Sequence, residues 1–245
     1  DRYAQIVRCF RDEDLRLDRQ PEFTQLDMEM AFVQREDVME VVEACVQRIF
    51  KDALNIDIPL PLPRMTEHEA TERYGIDRPD TRFGLELQDV TDLMREVDFN
   101  VFREAIEQGG VVKCIVASGG DKLTRKITDG LTEELKGMGG VGLPLTKVAQ
   151  GAGGIELQTG IAKFLQPIAA KLGEKTGAAT GDTVFFMPGT NADACKYLHH
   201  IRTRLGTILD LIPKDKWNLL WVIDFPLLTW DEEEKRWAST HHPFT

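Results

Sequence analysis

Residues Tyr3 to Phe32 constrain the fold of this chain more than any other stretch. They read as two strands, Tyr3–Phe10 and Glu22–Phe32, on either side of a loop that carries three arginines and four acids. Side chains alternate between the two faces of a strand. Leu26, Met28 and Met30 therefore share one face, and Phe23, Gln25, Asp27 and Glu29 share the other. The first face is expected to be core. The second holds a ring in a row of polar groups, and a solvated surface would account for Gln25, Asp27 and Glu29 but not for Phe23. Val7 and Cys9 fall on the parity of Arg11 if the first strand reaches it.

The rest of the chain bounds what this hairpin can belong to. At 245 residues it can form one large domain or two. No apolar run approaches the roughly 18–20 residues of a membrane span. The net charge of −11 argues against broad electrostatic binding of nucleic acid, so any RNA contact has to be local. Cys9, Cys45, Cys114 and Cys195 are far apart with no CxxC pair, which argues against a zinc ribbon or a disulfide scaffold and for buried free thiols.

Past the hairpin, apolar residues from Val38 to Leu54 recur at helical spacing, with Glu36 and Asp37 at the positive end. Pro59, Pro61 and Pro63 impose an extended segment. Thr66-Glu67-His68-Glu69 opens a short helix that Gly75 can end, with His68 on its surface. Between Leu85 and Ile212 short apolar runs alternate with helical periodicity. Strands are expected at 111–117, 143–149 and 183–187, and helices at 124–136, 160–172 and 191–212. Residues 219–230 read as a strand with Pro226 marking an edge or bulge, and 231–240 as the turn and return of a hairpin.

Two patterns invite functional readings that their context rejects. Gly137-Met138-Gly139-Gly140-Val141-Gly142 fits GxGxxG, but a helical stretch precedes it and a strand follows, the reverse of a dinucleotide site. Cys195 and His199, with His200 beside them, could ligate a metal, but the sequence places no third ligand, and a buried cysteine beside surface histidines is the expected arrangement. No metal ligand is assigned.

The run Phe10-Arg11-Asp12-Glu13-Asp14, followed by Asp18-Arg19-Gln20-Pro21-Glu22-Phe23-Thr24-Gln25, strongly resembles motif 2 of the class II aminoacyl-tRNA synthetases, and within them the bacterial-type aspartyl-tRNA synthetases. The resemblance continues to the closing His241-His242-Pro243-Phe244-Thr245. Asparaginyl and lysyl enzymes of the same subclass fit less well, given the long insertion and the motif around Gln20–Gln25. It implies an α+β fold: part of the antiparallel-sheet catalytic domain at residues 1–82 and 213–245, with an inserted α/β-type, GAD-like domain at 83–212. The dimer-forming motif 1 and the arginine-bearing motif 3 are not in the sequence, so the chain is expected to be an internal piece of a longer enzyme, inactive alone.

The resemblance also implies roles. Arg11 contacts the α-phosphate of ATP and the carboxylate of L-aspartate, where a cation offsets charge in the transition state. Glu13 faces the adenine amino group, Gln20 is a further ATP contact, Phe23 stacks on adenine and Asp12 supports the loop. Asp27 and Gln25 hold the aspartate, and His241 and His242 belong to a loop closing over it. Mg²⁺ accompanies the ATP. Residues reading the aspartate side chain, and the anticodon-binding barrel, lie outside the chain. Expected partners are aspartate tRNA, with asparagine tRNA as an open alternative, and a second subunit in the full-length enzyme, with neither membrane nor DNA. The expected location is the bacterial cytoplasm or an organellar matrix. The competing reading is a non-catalytic tRNA- or protein-binding module centred on the insertion.

Overall fold

The structure, a computed structural model, describes residues 1–12, 19–151, 154–231 and 234–240, with Asp121 by its backbone alone. It divides into two compact units, Asp1–Leu62 and Pro63–Thr245.

In the first unit, β1 (Arg2–Phe10) and β2 (Glu22–Met30) form an antiparallel ribbon, and α1 (Arg35–Leu54) follows. The register pairs Ile6 with Leu26, Gln5 with Asp27, Val7 with Gln25 and Cys9 with Phe23. The two rows of β2 thus separate as the alternation predicts. The expectation that the Leu26 row is core does not hold: Ile6 is 77% exposed and Leu26 49%, while Met28 and Met30 are half-buried. A two-stranded ribbon has no second layer of its own to cover an apolar face. In α1, Gln34 caps the helix in a box in which its N–H donates to Asp37 at 2.7 Å. Met39 and Glu43 are its buried residues, while Val38, Ile49 and Leu54 of the expected stripe are exposed.

The second unit begins with β3 (Arg64–Thr66) and α2 (Glu67–Tyr74). Thr66 accepts a hydrogen bond from the Glu69 N–H at 3.0 Å, and Gly75 ends the helix with φ of 74°. There follow β4 (Gln88–Asp89), α3 (Thr91–Met94), α4 (Asn100–Glu107), β5 (Val111–Ala117), α5 (Arg125–Gly137), β6 (Leu145–Gly151), β7 (Gly154–Gln158), α6 (Ala162–Leu165), α7 (Ala169–Thr176), β8 (Thr183–Gly189) and α8 (Asn191–Ile208). The sheet runs β4-β5-β8-β6-β7, with every pairing antiparallel.

Because side chains alternate along β5 and β8, this sheet makes two cores. Val112, Cys114, Val184 and Phe186 pack with residues of α3, α4, α6 and α7. Ile115, Ala117, Phe185 and Met187 pack with Leu131 and Leu135 of α5 and with Leu198, Ile201 and Leu205 of α8. Each fully buried large apolar side chain contributes about 1.5–3 kcal/mol, which makes these two layers the main source of the unit's stability.

The helix expected at 160–172 is broken: α6 ends at Leu165, a 3₁₀ turn spans Gln166–Ile168, and α7 starts at Ala169. Pro167, in that turn, cannot donate to a helical ladder. The strand expected at 219–230 is two strands, β9 (Trp221–Ile223) and β10 (Leu228–Asp231), parted around Pro226 and an Asp224 with φ of 59°. β9 pairs in parallel with β3, and β10 pairs antiparallel with β11 (Arg236–Ser239), where Trp230 and Trp237 meet edge to face.

Candidate nucleotide and amino-acid site

The backbone of β2 puts Phe23, Gln25 and Asp27 on one row of the ribbon, and Arg11, Asp12 and Gln20 stand in the loop just beyond its end. Arg11 follows the last residue of β1, and its N–H donates to the Pro21 carbonyl at 2.9 Å, closing the neck of the loop. Its guanidinium carbon lies 5.6 Å from the centre of the Phe23 ring. Arg11, Asp12 and Gln20 are exposed and Phe23 is half-buried. A cation and an aromatic face therefore border the same spot, at the mouth of the loop.

Further along the same row of β2 stand Gln25 and Asp27. Both are held from β1. The Gln5 Nε2 donates to Asp27 Oδ2 at 3.0 Å, and the Cys9 thiol donates to Gln25 Oε1 at 3.3 Å. Gln5 was missed in the sequence reading, although its parity with Arg11 was the available signal. Chemically, the row offers a π face, a guanidinium, a carboxamide and a carboxylate in sequence. That set suits a planar base, a phosphate or carboxylate, and an ammonium. Glu13, His241 and His242 lie outside the described residues.

Cys9 and Cys45 are half-buried rather than buried, while Cys114 and Cys195 are buried. Cys195 and its histidine neighbours do not converge. The Cys195 sulfur accepts from Lys113 Nζ at 3.1 Å, His199 Nδ1 sits 3.1 Å from the Tyr74 carbonyl, and His200 Nε2 sits 2.8 Å from Glu134. The described residues contain no group of three or more His, Cys, Asp or Glu side chains placed to hold a metal ion. No helix among them is long and apolar enough to cross a membrane.

The mixed α/β content, the antiparallel sheet and this ribbon agree with what the family comparison finds. The model of the class II tRNA synthetases (D, K and N) matches residues 1–245, and the chain belongs to that family. Over its whole length it is 50% identical to an aspartate–tRNA ligase of Staphylococcus carnosus, 47% to an aspartate–tRNA(Asp/Asn) ligase of Persephonella marina and 48% to one of Nitratidesulfovibrio vulgaris. The chain spans about two fifths of the length of these curated relatives, 41%, 40% and 39% in turn.

Proposed function

We propose that this chain is the part of an aspartate–tRNA ligase that grips ATP and the backbone of aspartate. The longer enzyme makes aspartyl-adenylate and passes the aspartyl group to tRNA. The observation that carries the reading is the Arg11 guanidinium 5.6 Å from the Phe23 ring, on the polar face of the ribbon. Adenine stacks on Phe23, with Glu13 and Gln20 as further contacts and Asp12 in support. Arg11 faces the α-phosphate and the attacking carboxylate, where two anions must meet and a fixed cation lowers the barrier most. Gln25 and Asp27 take the amino acid, and His241 and His242 belong to a loop that closes over it. Mg²⁺ travels with the nucleotide; such an ion keeps near-octahedral ligation from phosphates, water and one or two carboxylates, so no dedicated protein cage is required.

The layout 1–82, 83–212 and 213–245, with a GAD-like insertion, belongs to the same proposal. It is supported by β3 and β9, which flank the five-stranded sheet in sequence and pair with each other. The full enzyme is proposed to act on aspartate tRNA as a homodimer in the cytoplasm.

The test is exchange of labelled pyrophosphate into ATP. A polypeptide of the relatives' length that carries this sequence is expected to show aspartate-dependent exchange, and Arg11→Ala to lower it by about 10²–10³-fold. The 245-residue chain alone is expected to show none. Absence of aspartate-dependent exchange in the longer polypeptide, or an unaffected Arg11→Ala, overturns the reading.

A further inference from the structure

The proposed site draws its ligand contacts from β2 and the loop and leaves the side chains of β1 without a role. The hydrogen bonds across the ribbon supply one. We propose that β1 is a positioning strand: Gln5 and Cys9 orient the carboxylate of Asp27 and the carboxamide of Gln25, and so set whether each accepts from a ligand atom or donates to it. The inference rests on the proposed aspartate site and deepens it.

A carboxamide can present either its oxygen or its NH₂ group, and the partner it already has decides which. A thiol is a weak donor, and at Gln25 it is aimed at Oε1 from 3.3 Å. With its oxygen engaged, Gln25 offers its two Nε2 hydrogens to a ligand, which selects an acceptor such as a carboxylate oxygen. At Asp27 the logic runs the other way. The Gln5 amide donates to Oδ2 at 3.0 Å. This leaves Oδ1 as an acceptor, suited to an ammonium. The two selections fit the two ends of an α-amino acid. They are made two residues apart on one face, by β2 residues whose register partners are Gln5 for Asp27 and Val7 for Gln25. Cys9 reaches Gln25 diagonally, from its place opposite Phe23.

Neither Gln5 nor Cys9 is a catalytic residue on this account, because each acts through another side chain. The experiment uses the longer polypeptide and reads pyrophosphate exchange at varied aspartate and ATP. Cys9→Ala is expected to raise the aspartate KM about 3- to 10-fold, the worth of one neutral hydrogen bond. Gln5→Ala is expected to raise it roughly 10- to 30-fold, because its partner is charged. Both should leave the ATP KM and kcat within about twofold, since an interaction equal in ground and transition states moves KM alone. Cys9→Ser, which restores a donor, should return the aspartate KM to near the parent value.

A parallel rise in both KM values and loss of kcat, or a Cys9→Ser variant no better than Cys9→Ala, would show that β1 only holds the ribbon together and would overturn the inference. An unchanged aspartate KM in Cys9→Ala and Gln5→Ala would do the same while the parent remains active. Failure of the parent polypeptide itself to exchange is the distinct outcome that removes the function proposed above, and this inference with it.

Discussion

The most demanding single residue in the second unit is Arg202. It is fully buried on α8, with its guanidinium carbon 4.0 Å from the Phe83 ring centre and 4.9 Å from that of Tyr74. Its Nη2 donates to three carbonyls, of Asp80, Phe83 and Gly84, at 2.8, 2.8 and 3.0 Å. Burial pulls its pKa down from the usual arginine value, although Tyr74, Asp80 and Glu86 act the other way. A guanidinium, planar and weakly hydrated, is the one cation that can stack between rings while donating in its own plane. Replacing it by methionine keeps much of the volume but leaves three acceptors without this donor. Arg202→Met is therefore expected to lower stability by about 3 kcal/mol or more, read as a shift of the urea midpoint at constant m-value. Arg202→Lys should recover only part of the loss, because an ammonium cannot lie flat between the Tyr74 and Phe83 rings as a planar guanidinium does. Sequence periodicity placed residue 202 within a helix but gave no sign of this role, since the loop it holds lies more than a hundred residues away along the chain.

At the level of elements, the legible ones were those whose signal is local. β5 is an apolar run broken only by Lys113, Val184–Met187 of β8 is an uninterrupted one, α1 and α8 carry helical spacing, and α2 opens on the Thr66 capping box. The ribbon was legible through alternation, and with it the shared face of Arg11 and Phe23. α4 has only eight residues, too few for periodicity to declare itself, and β3 forms only by pairing with β9 far along the chain. What fastens α2 was also hidden. Glu72 accepts from Lys113 and from Asn191, each at 2.8 Å, and Glu86 takes Arg73 through two 2.8 Å bonds.

These contacts make a prediction about pH. Burial pushes the Glu72 carboxyl up, but its bonds from Lys113 and Asn191 outweigh this and leave it below the usual glutamate value. The Arg73 bond lowers Glu86, and the Arg82 bond lowers Asp80. A carboxylate whose folded pKa is depressed stabilises above its unfolded pKa and loses that contribution as pH falls through the folded one. His199 acts in the same direction by another route. Burial lowers its pKa, so the unfolded chain binds its proton more readily below about pH 6.5. Stability is expected to decline gently from about pH 6.5 and more steeply below about pH 4.5. Urea titrations across pH 3–8 check this, with His199→Asn removing the upper limb and Glu72→Gln weakening the lower one. A stability that is flat from pH 7 to pH 4 would contradict it.

At the scale of the whole molecule, the two units differ in what they can bury. Residues 63–245 hold both large cores, one on each face of the five-stranded sheet. Residues 1–62 hold a two-stranded ribbon and one helix, and Met39, Ile58 and Leu62 are their only buried apolar residues among those described. A chain of about 60 residues is already near the lower limit for independent folding, and a lone hairpin is marginal in water. The residues with the proposed ligand chemistry thus sit on the element least able to stand by itself. The expected outcome is a division under truncation. Residues 63–245 expressed alone should keep a cooperative urea transition and slowly exchanging amides in β5 and β8. Residues 1–62 alone should show no protected amides in β1 or β2, and addition of ATP should not restore them, because the site needs a rigid ribbon before it can bind. Protection of β1 and β2 in the isolated 62-residue piece would mean that the ribbon folds on its own local pairing, and that its exposed Ile6–Leu26 face needs no covering layer.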